Sequence, residues 1–165
     1  MRTILNRMLR LLAVTVLVAG SATLVVAGPA SAADAIQTFR NRNSGMCLDD
    51  SVDFSVRQFT CNNTEYQRWT VHVYGDGTRR LANRATGRCL GAQRSGSGVS
   101  LVSGGCEATP AKSWIVERLS NGVRFITEST GSHCLSDTGG NYYGGRYVGA
   151  LGCIGGYFPA EGIWY

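Results

Sequence analysis

The chain has 165 residues, 44% hydrophobic and 16% charged, with 22 glycines, six cysteines and a formal net charge of +5. That length suits one domain. Much of the charge sits where export would remove it: Arg2, Arg7 and Arg10 precede an apolar run from Leu11 to Ala27, and Ala30-Ser31-Ala32 follows in the small-x-small pattern of a signal-peptidase site. The break at Gly20-Ser21 and the Gly28-Pro29 turn favour a cleaved signal over an uncleaved anchor. Cleavage after Ala32 is expected to release residues 33–165 as a secreted, extracellular protein with no membrane association. Thirteen basic residues would then face eleven acids, a balance of +2. A basic pI that owes so much to a removed segment gives a nucleic-acid partner little support.

From Phe39 onward the chain repeats itself. The first copy reads F-R-N-R-N-S-G-M-C-L-D-D and closes with C-N-N-T-E-Y-Q-R-W at Trp69. The second runs from Leu81 through A-N-R-A-T-G-R-C-L to Trp114, and the third from Phe125 through I-T-E-S-T-G-S-H-C-L to Trp164. Anchored on Ser44, Thr86 and Thr130, the copies are 42 and 44 residues apart, with Phe39, Leu81 and Phe125 each five positions before the anchor. The repeats span approximately 36–74, 78–119 and 122–165. Each is too small to bury its own apolar face, so the three must share a core.

Taken in order, the repeats read as strands; helix periodicity is nearly absent. Trp69 to Tyr74 alternates and meets a hairpin turn at Gly75-Asp76-Gly77. Trp114 to Leu119 alternates and is expected to turn at Asn121-Gly122 before Val123 to Thr127 resumes. About four short strands per repeat, roughly twelve in all, are expected to close into a barrel, which leaves no sticky edge. The three Trp and residues 39, 81 and 125 are the expected filling. The last strand, ending at Trp164-Tyr165, should be short and pair near Ile36 to Phe39. His72 and His133 are expected in structural or surface roles.

The cysteines fall two per repeat, separated by 14, 17 and 19 residues. Of the fifteen possible pairings the repeat selects Cys47–Cys61, Cys89–Cys106 and Cys134–Cys153. Each closes a short loop, worth roughly 3 kcal/mol in the chain-entropy model. A zinc site would need close pairs such as C-x-x-C, and the sequence has none.

Three copies of an Asn-x-x-[Ser/Thr]-Gly-x-Cys-Leu pattern (the third looser, with Thr127 at the Asn place and one more residue before Cys134), a second Cys and a closing Gln67-Arg68-Trp69 resemble the ricin B-type lectin family. The likeness covers 36–165, and is closest in repeat one and looser in the others. It implies an all-β trefoil: a pseudo-threefold, six-stranded barrel capped by three hairpins, with a shallow sugar pocket possible on each repeat. Together with the signal and the Arg and Gly content, it suits a bacterial, actinobacterial-like source. The family's pocket uses an Asp two residues after the first Cys, an aromatic two before the second, and polar residues near the Gln-x-Trp. A carboxylate accepts strong hydrogen bonds from vicinal hydroxyls, and a ring offers a flat wall to the C–H face of a sugar.

Transferred residue by residue, the resemblance puts the best site in repeat one. Asp49 is the acceptor and Phe59 the wall, with Arg57, Tyr66 and Gln67 around them. Arg57 and Tyr66 stand where the family often shows Gln and Asn, so Arg57 either pairs with Asp49 and closes the pocket or donates to a sugar oxygen. Gln67 also reads as a buried amide holding strand backbone. Asp50 and Asp53 are expected in the connecting loop. Repeat two has Gly91, Gly104 and Lys112 at the pocket places and reads as scaffold. Repeat three has Ser136, Leu151 and Gly162 there, with Asp137 adjacent and a tyrosine- and glycine-rich stretch, 139–147, that is either a flexible insertion or a ring-presenting loop.

Catalytic motifs are wanting: Asp137-Thr138-Gly139 matches the aspartic-protease tripeptide without a second carboxylate site, and no G-x-S-x-G, H-E-x-x-H or phosphate loop occurs. The expected function is thus a secreted, non-catalytic carbohydrate-binding module, needing no cofactor or metal, with a glycan or polysaccharide as partner. The alternative is an extracellular protein-binding or inhibitor trefoil that has lost sugar binding. A module cut from a larger hydrolase ranks third, since the length leaves nothing for a catalytic domain.

Overall fold

A computed structural model describes residues 34–153 and 160–165; the signal peptide expected over 1–32 lies outside them. Eleven strands run in chain order among the described residues: β1 (Ala35–Gln37), β2 (Cys47–Ser51), β3 (Ser55–Phe59), β4 (Trp69–Val73), β5 (Arg79–Asn83), β6 (Cys89–Ser95), β7 (Gly98–Gly104), β8 (Trp114–Leu119), β9 (Gly122–Thr127), β10 (His133–Tyr142) and β11 (Gly145–Gly152). Short 3-10 turns at Glu65–Gln67, Pro110–Lys112 and Ala160–Gly162 lead into the three tryptophans. Among the described residues no helix is long and apolar enough to cross a membrane.

The barrel runs β1-β4-β5-β8-β9 through antiparallel pairs. Its sixth member is the closing segment Trp164-Tyr165. Trp164 exchanges both backbone bonds with Val123 at 2.7 and 2.9 Å, and Tyr165 exchanges both with Arg40 at 2.8 and 3.0 Å. This corrects the expected partner. Ala35–Gln37 is taken by β4 in the register Ala35↔Val71, Ile36↔Thr70, Gln37↔Trp69, so the last segment meets Arg40-Asn41 instead. The hairpins β2-β3, β6-β7 and β10-β11 form the cap.

Alternation decides what the barrel holds, because successive residues of a strand point to opposite faces. Trp69, Trp114 and Trp164 are fully buried, with Phe39, Leu81 and Phe125 beside them. Phe39 and Phe125 meet edge to face at 4.8 Å, the arrangement ring quadrupoles favour. Each indole N–H then donates to the leucine of its own Cys-Leu pair: Trp69 to Leu48 O (3.1 Å), Trp114 to Leu90 O (3.0 Å) and Trp164 to Leu135 O (2.8 Å). One device, used three times, ties the end of each repeat to its beginning.

The Ser-Gly and Thr-Gly anchors are tight turns. Gly45, Gly87 and Gly131 have φ of 68, 68 and 63°, the left-handed region where a side chain is costly. Asn41 and Asn83 hold the first two: each Oδ1 accepts two turn N–H groups at 3.0 and 3.1 Å, and each Nδ2 donates at 2.7 Å to the residue before a Gln-x-Trp position, Glu161 O or Tyr66 O. In repeat three Thr127 takes that place and bonds Thr130 Oγ1 at 2.6 Å.

Two further expectations are corrected. The β8-β9 turn is Ser120-Asn121, because Leu119 pairs with Gly122. A Cβ on Gly122 would run into the Trp164 carbonyl, so the glycine serves barrel closure as well as the hairpin. Asp50 is not in a loop; it lies in β2, fully buried, while Asp53 is in the exposed turn that follows.

Asp50 shows how the repeats lock together. Its carboxylate reaches into the turn of repeat two, accepting from Thr86 Oγ1 (2.6 Å), Arg88 Nε (3.1 Å) and Arg88 Nη2 (2.6 Å). The equivalent Asp137 of repeat three reaches back to repeat one, accepting from Asn43 Nδ2 (2.9 Å) and Gln58 Nε2 (3.0 Å). At the remaining seam Ala92 has no carboxylate, and its carbonyl accepts from Ser129 Oγ at 2.9 Å. The polar seams therefore close a ring, one to two, two to three and three to one.

The disulfides are Cys47–Cys61, Cys89–Cys106 and Cys134–Cys153, one per repeat, with no free cysteine. Peptide mapping without reduction should recover these three links alone from exported protein. A Cys61–Cys89 peptide, or alkylation of a native thiol, would contradict this pairing.

Candidate functional site

Asp49 sits in β2 opposite Arg57 in β3, an antiparallel pair that places both side chains on the same face. Both are buried, at 3% and 7% exposure. Arg57 Nε donates to Asp49 Oδ1 at 3.2 Å, and Arg57 Nη1 donates to Tyr143 O at 2.8 Å. The guanidinium is clasped between Phe54 and Phe59, 4.5 and 4.3 Å from the ring centroids. Of the two roles open to Arg57, the structure places it in the pair with Asp49, over the face of Phe59.

Gln67 is fully buried and acts first as a backbone holder: Oε1 accepts from Asn62 N (2.9 Å) and Nε2 donates to Thr60 O (2.9 Å). A longer contact of 3.4 Å joins Nε2 to Asp49 Oδ2, which makes this oxygen the least engaged of the carboxylate. Burial pushes the Asp49 carboxyl above its ordinary value, outweighing the hydrogen bond and charge of Arg57 and the bond from Gln67. Above this floor lies a cavity of about 310 Å³, bordered by Phe59, Asn62, Thr64 and the exposed Tyr66. The structure therefore brings all five residues named from sequence, Asp49, Arg57, Phe59, Tyr66 and Gln67, to one place.

Repeat two is closed by backbone. A Cβ on Gly91, the position equivalent to Asp49, would collide with Ala111 O and come within 2.8 Å of the Lys112 side chain. Lys112 Nζ donates to Cys89 O at 3.2 Å, and burial lowers its pKa while Glu107 pulls it back up. In repeat three Ser136 is buried with Oγ on Cys134 O (3.0 Å), and Leu151 is half exposed. A cavity of about 470 Å³ lies near it, lined by two carboxylates, Asp137 and Glu161, of which Asp137 is already committed to Arg146 (3.1 Å), Gly139 N (2.9 Å), Asn43 and Gln58.

Sequence reasoning missed the cross-repeat contribution to the first site. The 139–147 stretch is a hairpin rather than an insertion: β10 runs to Tyr142, β11 starts at Gly145, and only Tyr143-Gly144 turn. Arg146 pairs with Gln58 of β3, and a Cβ on Gly145 would strike Gln58 O. Glycine is thus what lets repeat three lie on repeat one and bring Tyr143 onto Phe54, ring to ring at 4.8 Å. The tyrosine-glycine composition was the available signal; its neighbour was not legible.

Three hairpin-capped repeats around one barrel, each with its own disulfide and tryptophan, define a β-trefoil. The chain belongs to the family described as the ricin-type beta-trefoil lectin domain, whose model matches residues 35–156. Curated protein sequences gave no match. Solved structures share the fold at low identity. The designed threefold-symmetric protein ThreeFoil is 20% identical with a TM-score of 0.67, over 78% of this chain and 95% of that one. The Macrolepiota procera ricin B-like lectin, solved in complex with lactose, is 19% identical with a TM-score of 0.65, over 80% and 94%. The Rhizoctonia solani agglutinin is 17% identical with a TM-score of 0.64, over 83% and 96%.

Proposed function

We propose that the protein is an exported, non-catalytic carbohydrate-binding module whose sugar site lies on the first repeat. One observation carries this reading. Of the three equivalent positions only that repeat has a carboxylate, Asp49, under an open cavity walled by rings and amides, whereas Gly91 and Ser136 stand in its place elsewhere. Membership of a lectin-domain family and the lactose bound by the Macrolepiota relative support it. A sugar hydroxyl takes the less engaged Oδ2 of Asp49, and the swing of Arg57 off Phe59 frees that ring for the C–H face. Separating a buried ion pair costs part of the binding energy. Affinity for a single sugar is therefore expected near the millimolar range, about −4 kcal/mol.

Asp49→Asn is the test. Losing a charged hydrogen-bond partner costs about 1.5–3 kcal/mol, which from a millimolar start ends measurable binding. Stability should change little. The raised pKa means that the ionised form gains nothing from burial, and Arg57 keeps Tyr143 O and both rings. The second reading, a protein-binding trefoil without a sugar pocket, draws on the burial of the Asp49–Arg57 pair itself. It forecasts a fall in melting temperature with any binding unaltered. Saccharide binding that persists in the variant would move the site away from Asp49.

A further inference from the structure

The rings around the repeat-one cavity do not stop at its rim. Phe59, Arg57 and Phe54 stack in succession, Tyr143 continues the stack at 4.8 Å, Tyr142 meets Tyr143 at 4.9 Å, and Tyr147 meets Tyr142 at 4.5 Å. Tyr142 and Tyr147 then wall a second cavity of about 360 Å³, between the three cap hairpins. The two cavities flank one short stretch of chain: Phe54 borders the first, and Ser55 and Val56 border the second. Tyr143 stands at the crest between them, 67% exposed, and Tyr147 is 47% exposed.

Tyr143 is also held against its own preference. Its φ of 45° is in the left-handed region, where a bulky residue is a costly outlier. Gly144 beside it shares the left-handed region, with φ of 76°, at no steric cost, whereas Tyr143 presents a ring there. Arg57 and Phe54 fix it from below through the 2.8 Å bond to its carbonyl and the ring stack.

Resting on the sugar-binding reading above, we infer that the tyrosine hairpin of repeat three and the cavity of repeat one form a single platform for an extended, uncharged polysaccharide chain. Its rings would lie along the row from Tyr66 over Tyr143 to Tyr147. The length comes from the two cavities joined across the crest. Neutrality comes from the charges: Arg57 is the one cation lining the first cavity and is outnumbered there by Asp49 and Asp53, the second cavity is walled by Ser, Val, Leu, Tyr and Gly, and Asp53 at the rim repels an acidic polymer. Exposed rings with hydroxyl and amide groups between them suit the alternating C–H faces and hydroxyl edges of such a chain.

The test is calorimetry with neutral bioses and their matching hexaoses: β-1,4-linked glucose, xylose, mannose and N-acetylglucosamine, and β-1,3-linked glucose. At least one hexaose should bind about tenfold tighter than its biose, the contribution of two ring contacts. Tyr143→Ala combined with Tyr147→Ala should erase that gain, so that hexaose and biose bind alike, while biose binding through Asp49 is still measurable. If the double variant does not fold, Tyr143→Ala alone should remove about threefold of the gain. Equal affinities for biose and hexaose, or a gain that survives the variants, would overturn the platform and leave the single-sugar site standing. Binding of no saccharide would overturn both.

Discussion

Replacing Trp164 by alanine should lower the unfolding free energy by about 3–5 kcal/mol, the range for large aromatic truncations in cores. The indole is fully buried and donates to Leu135 O at 2.8 Å, so its loss leaves a cavity and an unpaired carbonyl. The position matters beyond volume. Trp164 and Tyr165 join the closing segment to β9 on one side and to Arg40 on the other through four backbone bonds. Urea denaturation measures the effect; a loss below about 1 kcal/mol would mean that barrel closure does not depend on this ring.

Asp137→Ala should cost a similar amount, about 3–5 kcal/mol, by leaving Arg146, Gln58 and Asn43 without their shared acceptor. Burial by itself would raise this carboxyl, but the bonds from Arg146, Gly139 N–H, Asn43 and Gln58 more than offset it and hold the pKa below the ordinary value. The sign follows from that direction. Its contribution is present above the unfolded carboxylate pKa of about 4 and is lost as pH falls through the lower folded value. Asp137→Ala should therefore be most damaging near neutral pH and approach wild-type stability in strong acid. A variant whose deficit is independent of pH would show that the carboxylate charge does not hold the seam between repeats three and one.

The barrel and its staples were legible because they are encoded as repetition. A Trp at each repeat end, an apolar residue five before each turn and two cysteines between them describe the core without knowledge of neighbours. The seams were less legible for a definite reason. Asp49 and Asp50 are adjacent in β2 and so point to opposite faces, one to the pocket and one to repeat two. Repeat spacing identifies the first and says nothing of the second. Arg57 was recognised as a departure with two outcomes, and only the ring positions of Phe54 and Phe59 decide between them in this state. The tyrosine hairpin breaks the threefold pattern, so the pattern gave no place for it. Its pairing with β3 depends on the backbone approach that Gly145 permits.

The central claim is that sugar binds at the first repeat, and chemical-shift mapping tests it most directly. The oxidised, isotope-labelled protein is titrated with the neutral hexaoses, and backbone amides are followed residue by residue. The account predicts saturable shifts clustered at Asp49, Asn62, Thr64 and Tyr66, extending to Tyr142, Tyr143 and Tyr147, with Gly91 and Lys112 unmoved. Shifts centred on Gly91 and Lys112, or no shift with any hexaose, would contradict it.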